Sequence, residues 1–203
     1  RKARSLLDQW TPRSGLGHHA IQLEILLQGM QLLAPQGLLA YSTCALNPVE
    51  CEAVVCAALF HFPNFETVNI EVPGLELESG LCSWKVPGIG RNGEWLSYDS
   101  WKDVPEATGM LRRSMFPPSA YATSSVAEGL EKQLRRCGRL LPCNDDGGCF
   151  FLALLRQSKE HKETFSKGDR VFVTSVEREG TVRGPGTKQF RGLLRVLYAD
   201  GSQ

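Results

Sequence analysis

The chain contains seven cysteines, whose thiols could act as nucleophiles or metal ligands. They lie at positions 44, 51, 56, 82, 137, 143 and 149. Their number is odd and they lack the paired Cys-x-x-Cys spacing of a structural zinc site, so we predict neither a disulfide framework nor a metal site. Packing in a core is the ordinary role of a cysteine in an intracellular protein. A reactive thiol therefore needs separate support, which the sequence supplies only at Cys44.

Cys44 lies between a predicted strand and a predicted helix. Residues 37–43 are short and nearly continuously apolar, which predicts a central strand in a parallel sheet covered on both faces. Asn47, Pro48 and Glu50 then supply a capping residue, a proline at the first helical position and an acidic residue. Ligands of open α/β sheets bind beyond such strand ends, and a helix N-terminus favours the thiolate. Its position makes Cys44 a candidate nucleophile.

Helices and strands alternate on both sides of Cys44, which is typical of an α/β layer fold. Helices are expected where apolar residues recur at spacings of three and four, and strands where apolar runs are short. The predicted helices are 17–33, 48–63 and 125–141, and the predicted strands are 37–43, 65–72 and 147–155.

Residues 73–119 interrupt this alternation. They are rich in Gly and Pro and carry Trp84, Trp95 and Trp101, which predicts a loop-rich insertion with short strands. We predict that the tryptophans form the small core of this insertion. Stacking on nucleic-acid bases is the alternative.

The last part of the sequence predicts a separate module. Residues 158–166 are polar and charged, as expected of a linker between a first domain, 1–157, and a module at 167–203. Strand-like stretches separated by Gly and Pro predict a small SH3-like or Tudor-like β-barrel. Because the chain opens with Arg1 and closes on a hairpin signal at 199–201, we expect it to be a fragment with a truncated module.

Although the net charge is only +1, the two ends of the sequence are basic and its middle is acidic. The basic ends could bind a polyanion such as a nucleic acid. The alternative is a set of ordinary solvated faces. Candidate phosphate contacts are Lys132, Arg135, Arg136 and Arg139, at helical spacing, and also Arg112 and Arg113. No apolar run approaches the roughly 20 residues that span a bilayer, so we expect a soluble, intracellular protein without a membrane segment.

Residues 41–55, Tyr-Ser-Thr-Cys-Ala-Leu-Asn-Pro-Val-Glu-Cys-Glu-Ala-Val-Val, resemble the cysteine motif of the NOL1/NOP2/Sun family of RNA cytosine-5 methyltransferases. Ala45 and Cys51 depart from the usual motif. The resemblance extends over about residues 1–157. Further stretches resemble the eukaryotic tRNA-modifying branch in the same order: 19–33, 84–86, 93–95, 112–118, 139–142 and 147–155.

The resemblance implies the C-terminal part of a class I, Rossmann-like methyltransferase sheet, with Cys44 as the catalytic nucleophile. It implies S-adenosyl-L-methionine as cofactor, tRNA as partner and methylation of cytosine C5 through a cysteine adduct at C6. It places the cofactor site and a second, product-releasing cysteine ahead of residue 1, so the fragment alone is expected to be inactive. It also implies residence in the nucleus, with the cytoplasm as a possible additional location.

Two other functions remain open. One is a catalytically inactive RNA-binding protein of the same fold. The other is a thiol hydrolase that pairs Cys44 with His18 or His19, which requires a histidine within reach of the sulfur. We predict a plain surface role for both histidines instead.

Overall fold

The computed structural model describes residues 11–90, 92–105, 109–142, 148–158, 170–173, 178–185 and 194–198. The chain divides into two units, Arg1–Ser158 and Lys159–Gln203. The elements of the first unit are α1 (Pro12–Leu32), β1 (Leu39–Thr43), α2 (Glu52–His61), β2 (Phe65–Val68), β3 (Glu78–Ser79), β4 (Val86–Ile89), β5 (Trp95–Tyr98), α3 (Ser124–Leu134), β6 (Gly138–Leu140) and β7 (Phe150–Gln157). These helices and sheets confirm the α/β class.

The main sheet is organised around β7. β1 pairs with one side of β7, with Leu39 opposite Leu155 and Thr43 opposite Phe151. On the other side of β7, β6 pairs with its first residues and β2 with its last residues. β3 pairs with β6 and extends the sheet. Every pairing is antiparallel. Because β1 and β2 both oppose β7, they run parallel to each other, and α2 connects them.

The place of β1 corrects the prediction of a central strand in a parallel sheet. Among the described strands, β1 pairs only with β7, and the two are antiparallel. Leu39 and Tyr41 are half-buried against the helices, whereas Ala40 and Ser42 on the opposite face are exposed. An apolar run indicates that a strand is partly buried, but it carries no information on the direction of its neighbour.

One hydrophobic core lies between the helices and a single face of the main sheet. α2 is its centre, since every residue from Glu52 to Leu59 is buried. The β7 side chains alternate between this core and the opposite face, where Phe150 is 49% exposed. Buried core members from the other elements are Leu26, Met30, Phe65, Leu130, Leu134, Phe151, Ala153 and Leu155.

The first two predicted helices are confirmed, with shifted boundaries. α1 begins earlier than predicted, at Pro12, since a proline is well tolerated at the first helical position. The helix after Cys44 begins as a 3-10 turn, Pro48–Glu50, before α2 proper. The Asn47 side chain caps this turn by accepting from the Val49 amide at 3.1 Å, as the capping signal predicted.

The third predicted helix, 125–141, is too long. α3 ends at Leu134, where tight turns take over: the Arg136 amide donates to the Gln133 carbonyl and the Cys137 amide to the Leu134 carbonyl. Gly138 then starts strand β6, and a Cβ added there would lie 2.9 Å from a Leu77 methyl group. A larger side chain at this position would have to displace the Leu77 side chain.

The insertion has short strands and a small core of its own. β4 and β5 form a two-stranded antiparallel sheet. Trp84 donates from Nε1 to the Met115 carbonyl at 2.9 Å, and the Trp101 ring packs edge-on against Phe116 at 5.8 Å between centroids. Trp95 differs, since it is 48% exposed. The predicted tryptophan core is therefore confirmed for two of the three rings.

The second unit contains β8 (Arg170–Val173), β9 (Arg178–Pro185) and β10 (Leu194–Tyr198). They pair antiparallel in the order β10-β9-β8, within the segment 167–203 where strand-like stretches were predicted. The described strands form an open sheet, so the predicted barrel is not established. The hairpin signal at 199–201 and most of the predicted linker lie outside the described residues. No helix in the described part of the chain has the length and apolar character needed to cross a membrane.

Candidate active site

Cys44 lies immediately beyond the carboxyl end of β1, at the start of the loop 45–47. The strand positions it from one side, and the 3-10 turn before α2 follows on the other. Its thiol is exposed, whereas Cys51, Cys56 and Cys137 are buried. The structure thus places Cys44 where the sequence predicted, just beyond the end of a strand, and leaves the residue exposed.

Side chains hold the backbone next to Cys44. The Ala45 amide donates to Thr43 Oγ1 at 3.1 Å, and the Cys51 thiol donates to the Ala45 carbonyl at 3.3 Å. Burial raises the pKa of Cys51 to about 12, so its sulfur keeps the proton that this hydrogen bond needs. Cys51, one of the departures from the usual motif, therefore serves here as a structural donor to the loop.

A buried ion pair adjoins the same loop. Arg139 donates from Nε and Nη2 to the two carboxylate oxygens of Glu52 at 2.6 and 2.7 Å, and from Nη1 to the Leu46 carbonyl at 3.1 Å. Glu52 is fully buried and Arg139 is 6% exposed. Although burial opposes the charged form, the hydrogen bonds and charge of Glu52 raise the pKa of Arg139 above its ordinary value.

The position of Arg139 corrects its predicted role as a phosphate contact. That prediction placed Arg139 on the same helix face as Lys132, but it lies on β6, beyond the end of α3. Its guanidinium is buried against Glu52 and the Phe151 ring, 6.0 Å from the ring centroid. The charge is already neutralised inside the protein and is not available to RNA.

The N-terminal half of α1 packs on the turn that follows the Cys44 loop. Glu50 is 7% exposed and accepts from His18 Nδ1 at 3.1 Å and from the side-chain Nδ2 of Asn47 at 3.5 Å. The Tyr41 hydroxyl donates to the Glu50 carbonyl at 2.7 Å, which ties this turn to β1. A Cβ at Gly15 would collide with the Asn47 amide, so the close approach of α1 depends on glycine at that position.

His19 lies in the interior, which corrects the predicted surface role for this residue. Its Nδ1 is 2.7 Å from the Val49 carbonyl and its Nε2 is 2.9 Å from Ser114 Oγ. Because a carbonyl only accepts, Nδ1 carries the proton and Nε2 accepts from the serine hydroxyl. Burial, with a smaller contribution from Arg112, lowers the pKa of His19, so the ring is neutral.

The histidine positions do not support a thiol hydrolase. Both ring nitrogens of His19 are occupied by Val49 and Ser114, and His18 pairs with Glu50. Among the hydrogen bonds of the described residues, neither ring contacts Cys44. A cysteine hydrolase needs a histidine whose free nitrogen faces the sulfur, and neither of the two described histidines proposed for this role meets that need.

The other predicted basic residues lie in two places. Lys132, Arg135 and Arg136 are exposed around the end of α3, although Arg136 also donates to the Thr67 carbonyl at 2.9 Å. Arg112 is exposed in a separate segment. Arg113 beside it donates to the Tyr121 carbonyl at 2.8 Å and lies over the Tyr121 ring. The structure therefore brings three of the six candidates together.

Among the described cysteines, Cys56, Cys82 and Cys137 show no feature of a second reactive site. Cys56 lies 3.0 Å from the Tyr121 hydroxyl, and burial raises its pKa to about 12. Burial also raises the pKa of Cys137 and of the half-buried Cys82. Cys143 lies outside the described residues. Within the described part of the chain, no group of three or more His, Cys, Asp or Glu side chains could hold a metal ion.

Sequence reasoning missed Glu52 and the true surroundings of His19. Glu50 and Glu52 are the two acidic residues in an otherwise apolar stretch, and every residue from Val49 to Leu59 is buried. A charge in such a stretch is the signal of a buried, paired group. The partner of Glu52 could not be read from the sequence, because Arg139 is 87 positions away.

Most of the chain is similar in sequence to known proteins that are named tRNA cytosine-C5-methyltransferases. A multisite-specific tRNA cytosine-C5-methyltransferase of Schizosaccharomyces pombe is 36% identical over 161 residues, which are 78% of this chain and 22% of that protein. One of Saccharomyces cerevisiae is 32% identical over 198 residues, 94% of this chain and 25% of that protein. A tRNA (cytosine(34)-C5)-methyltransferase of Drosophila melanogaster is 33% identical over 180 residues, 87% and 23% of the two chains. No family model matches the sequence.

Proposed function

This chain belongs to the RNA cytosine-C5 methyltransferase family of these relatives, and we propose that the protein of which it is a part methylates C5 of cytosine in tRNA. The chain spans about a quarter of the length of these relatives, so the activity is proposed for the whole protein. The observation that carries the proposal is the exposed Cys44 at the carboxyl end of β1, within a sequence homologous to these enzymes over most of its length.

The proposed chemistry explains why a thiolate is needed. C5 of cytosine is a poor nucleophile, and attack of the Cys44 thiolate at C6 forms a C–S bond and makes C5 electron-rich. S-adenosyl-L-methionine supplies the methyl group that C5 accepts. A base then takes the C5 proton, the C5–C6 double bond re-forms, and the C–S bond breaks to release the thiolate. In this scheme Cys44 is the catalytic nucleophile.

The fold of the first unit supports a class I methyltransferase sheet. β1 and β2 are parallel, are connected by α2 and enclose the antiparallel β7 between them. Ligands of open α/β sheets bind beyond the carboxyl ends of parallel strands, and Cys44 lies at that end of β1. Cys44 is exposed at this end of β1, and we assign no cofactor-binding residue in this chain.

The exposed basic residues support contact with the RNA backbone. We propose that Lys132, Arg135 and Arg136, grouped around the end of α3, bind phosphates, with Arg112 and Arg113 as a second group.

Residues 167–203 are proposed to form an SH3-like or Tudor-like module, which the antiparallel order β10-β9-β8 supports. Nuclear residence is proposed from the family resemblance, and imaging of the tagged full-length protein would test it.

The test compares the full-length protein with its Cys44→Ala variant, using radiolabelled S-adenosyl-L-methionine and tRNA. We expect the wild type to transfer label to C5 of cytosine and the variant to lose the transfer while still binding tRNA. Cys149→Ala is the matched control, since Cys149 is half-buried at the start of β7 and should be dispensable. Equal transfer by the Cys44 variant would refute the nucleophile, and a folded wild type that binds tRNA without transfer would favour the inactive RNA-binding alternative.

A further inference from the structure

The loop that carries Cys44 is attached to the interior through its Leu46 carbonyl. This carbonyl accepts from Arg139 Nη1 at 3.1 Å. Leu46 follows Cys44 closely in the chain, so a shift of its peptide group would also move the nucleophile. The attachment comes from a side chain on β6, on the opposite side of β7 from β1.

Glu52 fixes the orientation of that side chain. Its carboxylate accepts from Arg139 Nε and Nη2 and also from the Leu81 amide at 2.9 Å. A planar guanidinium held at two of its nitrogens has little freedom to rotate, which aims the third nitrogen at Leu46. Packing over the Phe151 ring restricts it further.

Stability alone is a weak explanation for this ion pair. A buried pair loses the hydration of both charges, and replacement by apolar residues of similar volume is often neutral or stabilising. The pair here nevertheless directs one of its donors to the backbone of the loop that bears the nucleophile. Such an arrangement suits a group that fixes geometry.

We infer that Arg139 is a positioning residue, held by Glu52, which keeps the Cys44 loop in the geometry for attack on cytosine C6 through the Leu46 carbonyl. This inference rests on the proposed role of Cys44. It assigns Arg139 to the geometry of the nucleophile instead of to the RNA backbone. The two roles predict different measurements.

Two variants of the full-length protein test the inference. Arg139→Lys keeps a buried positive charge but replaces the planar fork, so it cannot hold Glu52 and Leu46 in the same geometry. The double variant Glu52→Gln/Arg139→Met removes both charges together and keeps an acceptor for the Leu81 amide, which avoids an unpaired buried charge. Thermal melting of both variants shows whether they fold.

The readout is the rate at which Cys44 forms an adduct with tRNA containing 5-fluorocytosine, in the presence of S-adenosyl-L-methionine. Fluorine at C5 prevents the final elimination, so the adduct accumulates and is counted directly. We expect both variants to form it roughly 10- to 100-fold more slowly than wild type, because small displacements of a reacting group have effects of that size. Affinity for tRNA and its dependence on salt should be unchanged.

The control is a surface Arg–Glu ion pair away from the loop. Arg156 donates to Glu66 at 2.9 Å on the exposed side of the β2–β7 pairing. Arg156→Met, which keeps Glu66 and its 3.8 Å contact with Arg136, should leave the rate of adduct formation at the wild-type value.

Either of two results would overturn the inference. One is a folded double variant that forms the adduct at the wild-type rate. The other is an effect confined to tRNA affinity, with a weaker salt dependence, which would make Arg139 a phosphate contact. A wild-type protein that forms no adduct at Cys44 would instead refute the proposed function, so the two failures are distinguishable.

Discussion

At the scale of single residues, Cys44 and Cys51 are both cysteines near the same loop, but they differ in exposure to solvent. Cys44 is exposed at the end of β1, while Cys51 is buried and hydrogen-bonded to the Ala45 carbonyl. Burial raises the pKa of Cys51 to about 12, so it is a protonated thiol at neutral pH. Since only the thiolate is a strong nucleophile, Cys51 cannot substitute for the proposed nucleophile Cys44.

Alkylation should distinguish the two thiols. In the native full-length protein near neutral pH, we expect iodoacetamide to modify Cys44 while Cys51 and Cys56 stay unmodified, because both are buried. Peptide mass spectrometry measures the extent at each site, and the same reaction in denaturant is the control in which all three should react. Native modification of Cys51 as fast as of Cys44 would contradict the described burial.

His19 should make stability depend on pH. Its pKa is lowered from 6.5 in the folded state, chiefly by burial, so the unfolded chain binds a proton more readily than the folded chain. By linkage, stability is then complete above about pH 6.5 and is lost as the pH falls below that value. Urea unfolding at several pH values measures this, and a His19→Gln variant should lack that part of the pH dependence. An identical pH profile in the variant would contradict the assignment.

At the scale of elements, the core depends on three helices that pack on one face of the main sheet. α2 is buried along most of its length, and α1 and α3 flank it with one face each. Leu134 at the end of α3 is fully buried, whereas Val126 on the same helix is 43% exposed. The inner face of α3 therefore contributes to stability, and its outer face is free to carry the basic residues.

Truncation on the two faces of α3 should have unequal effects. We expect Leu134→Ala to lower the free energy of unfolding by roughly 2–5 kcal/mol, because it removes buried methyl groups and leaves a cavity. Val126→Ala, the matched control, should change it by about 0.5 kcal/mol or less. Chemical denaturation measures both values. Equal effects would show that α3 does not pack as described.

At the scale of the whole molecule, the chain spans about a quarter of the length of its curated relatives and carries two kinds of exposed surface. Apolar side chains of α1 are exposed, with Ile21 at 60%, Ile25 at 65% and Leu32 at 85%. The positive charges of Lys132 and Arg135 are exposed at the end of α3. When such positive charges bind a polyanion they release its counterions, so the affinity falls as the salt concentration rises.

Removing the α3 charges should weaken tRNA binding in a salt-dependent way. We expect Lys132→Ala/Arg135→Ala in the full-length protein to reduce the slope of log affinity against log salt by about one unit for each phosphate that is no longer bound. Lys102→Ala is a control, since Lys102 is exposed in the insertion and is not among the proposed phosphate-binding residues. Binding titrations at several salt concentrations give the slope. An unchanged slope would mean that these residues form an ordinary solvated face.

The sequence by itself determined the features that depend on neighbours along the chain. The strand before Cys44, the Asn47 cap and the buried stripe of α1 follow from local periodicity and capping, and the structure contains all three. The family follows from residues 41–55 and their surroundings. These signals are local because a strand end and a helix start are encoded by the residues that form them.

Only the tertiary structure decided which distant groups meet. Helical spacing placed Arg139 with Lys132, yet α3 ends at Leu134 and Arg139 turns inward to Glu52. The same holds for His19, which has the sequence context of a surface residue but is covered by the segment that carries Ser114. Periodicity describes which face of its own element a residue occupies, whereas a buried charge or imidazole is satisfied by a partner that folding brings from far along the chain.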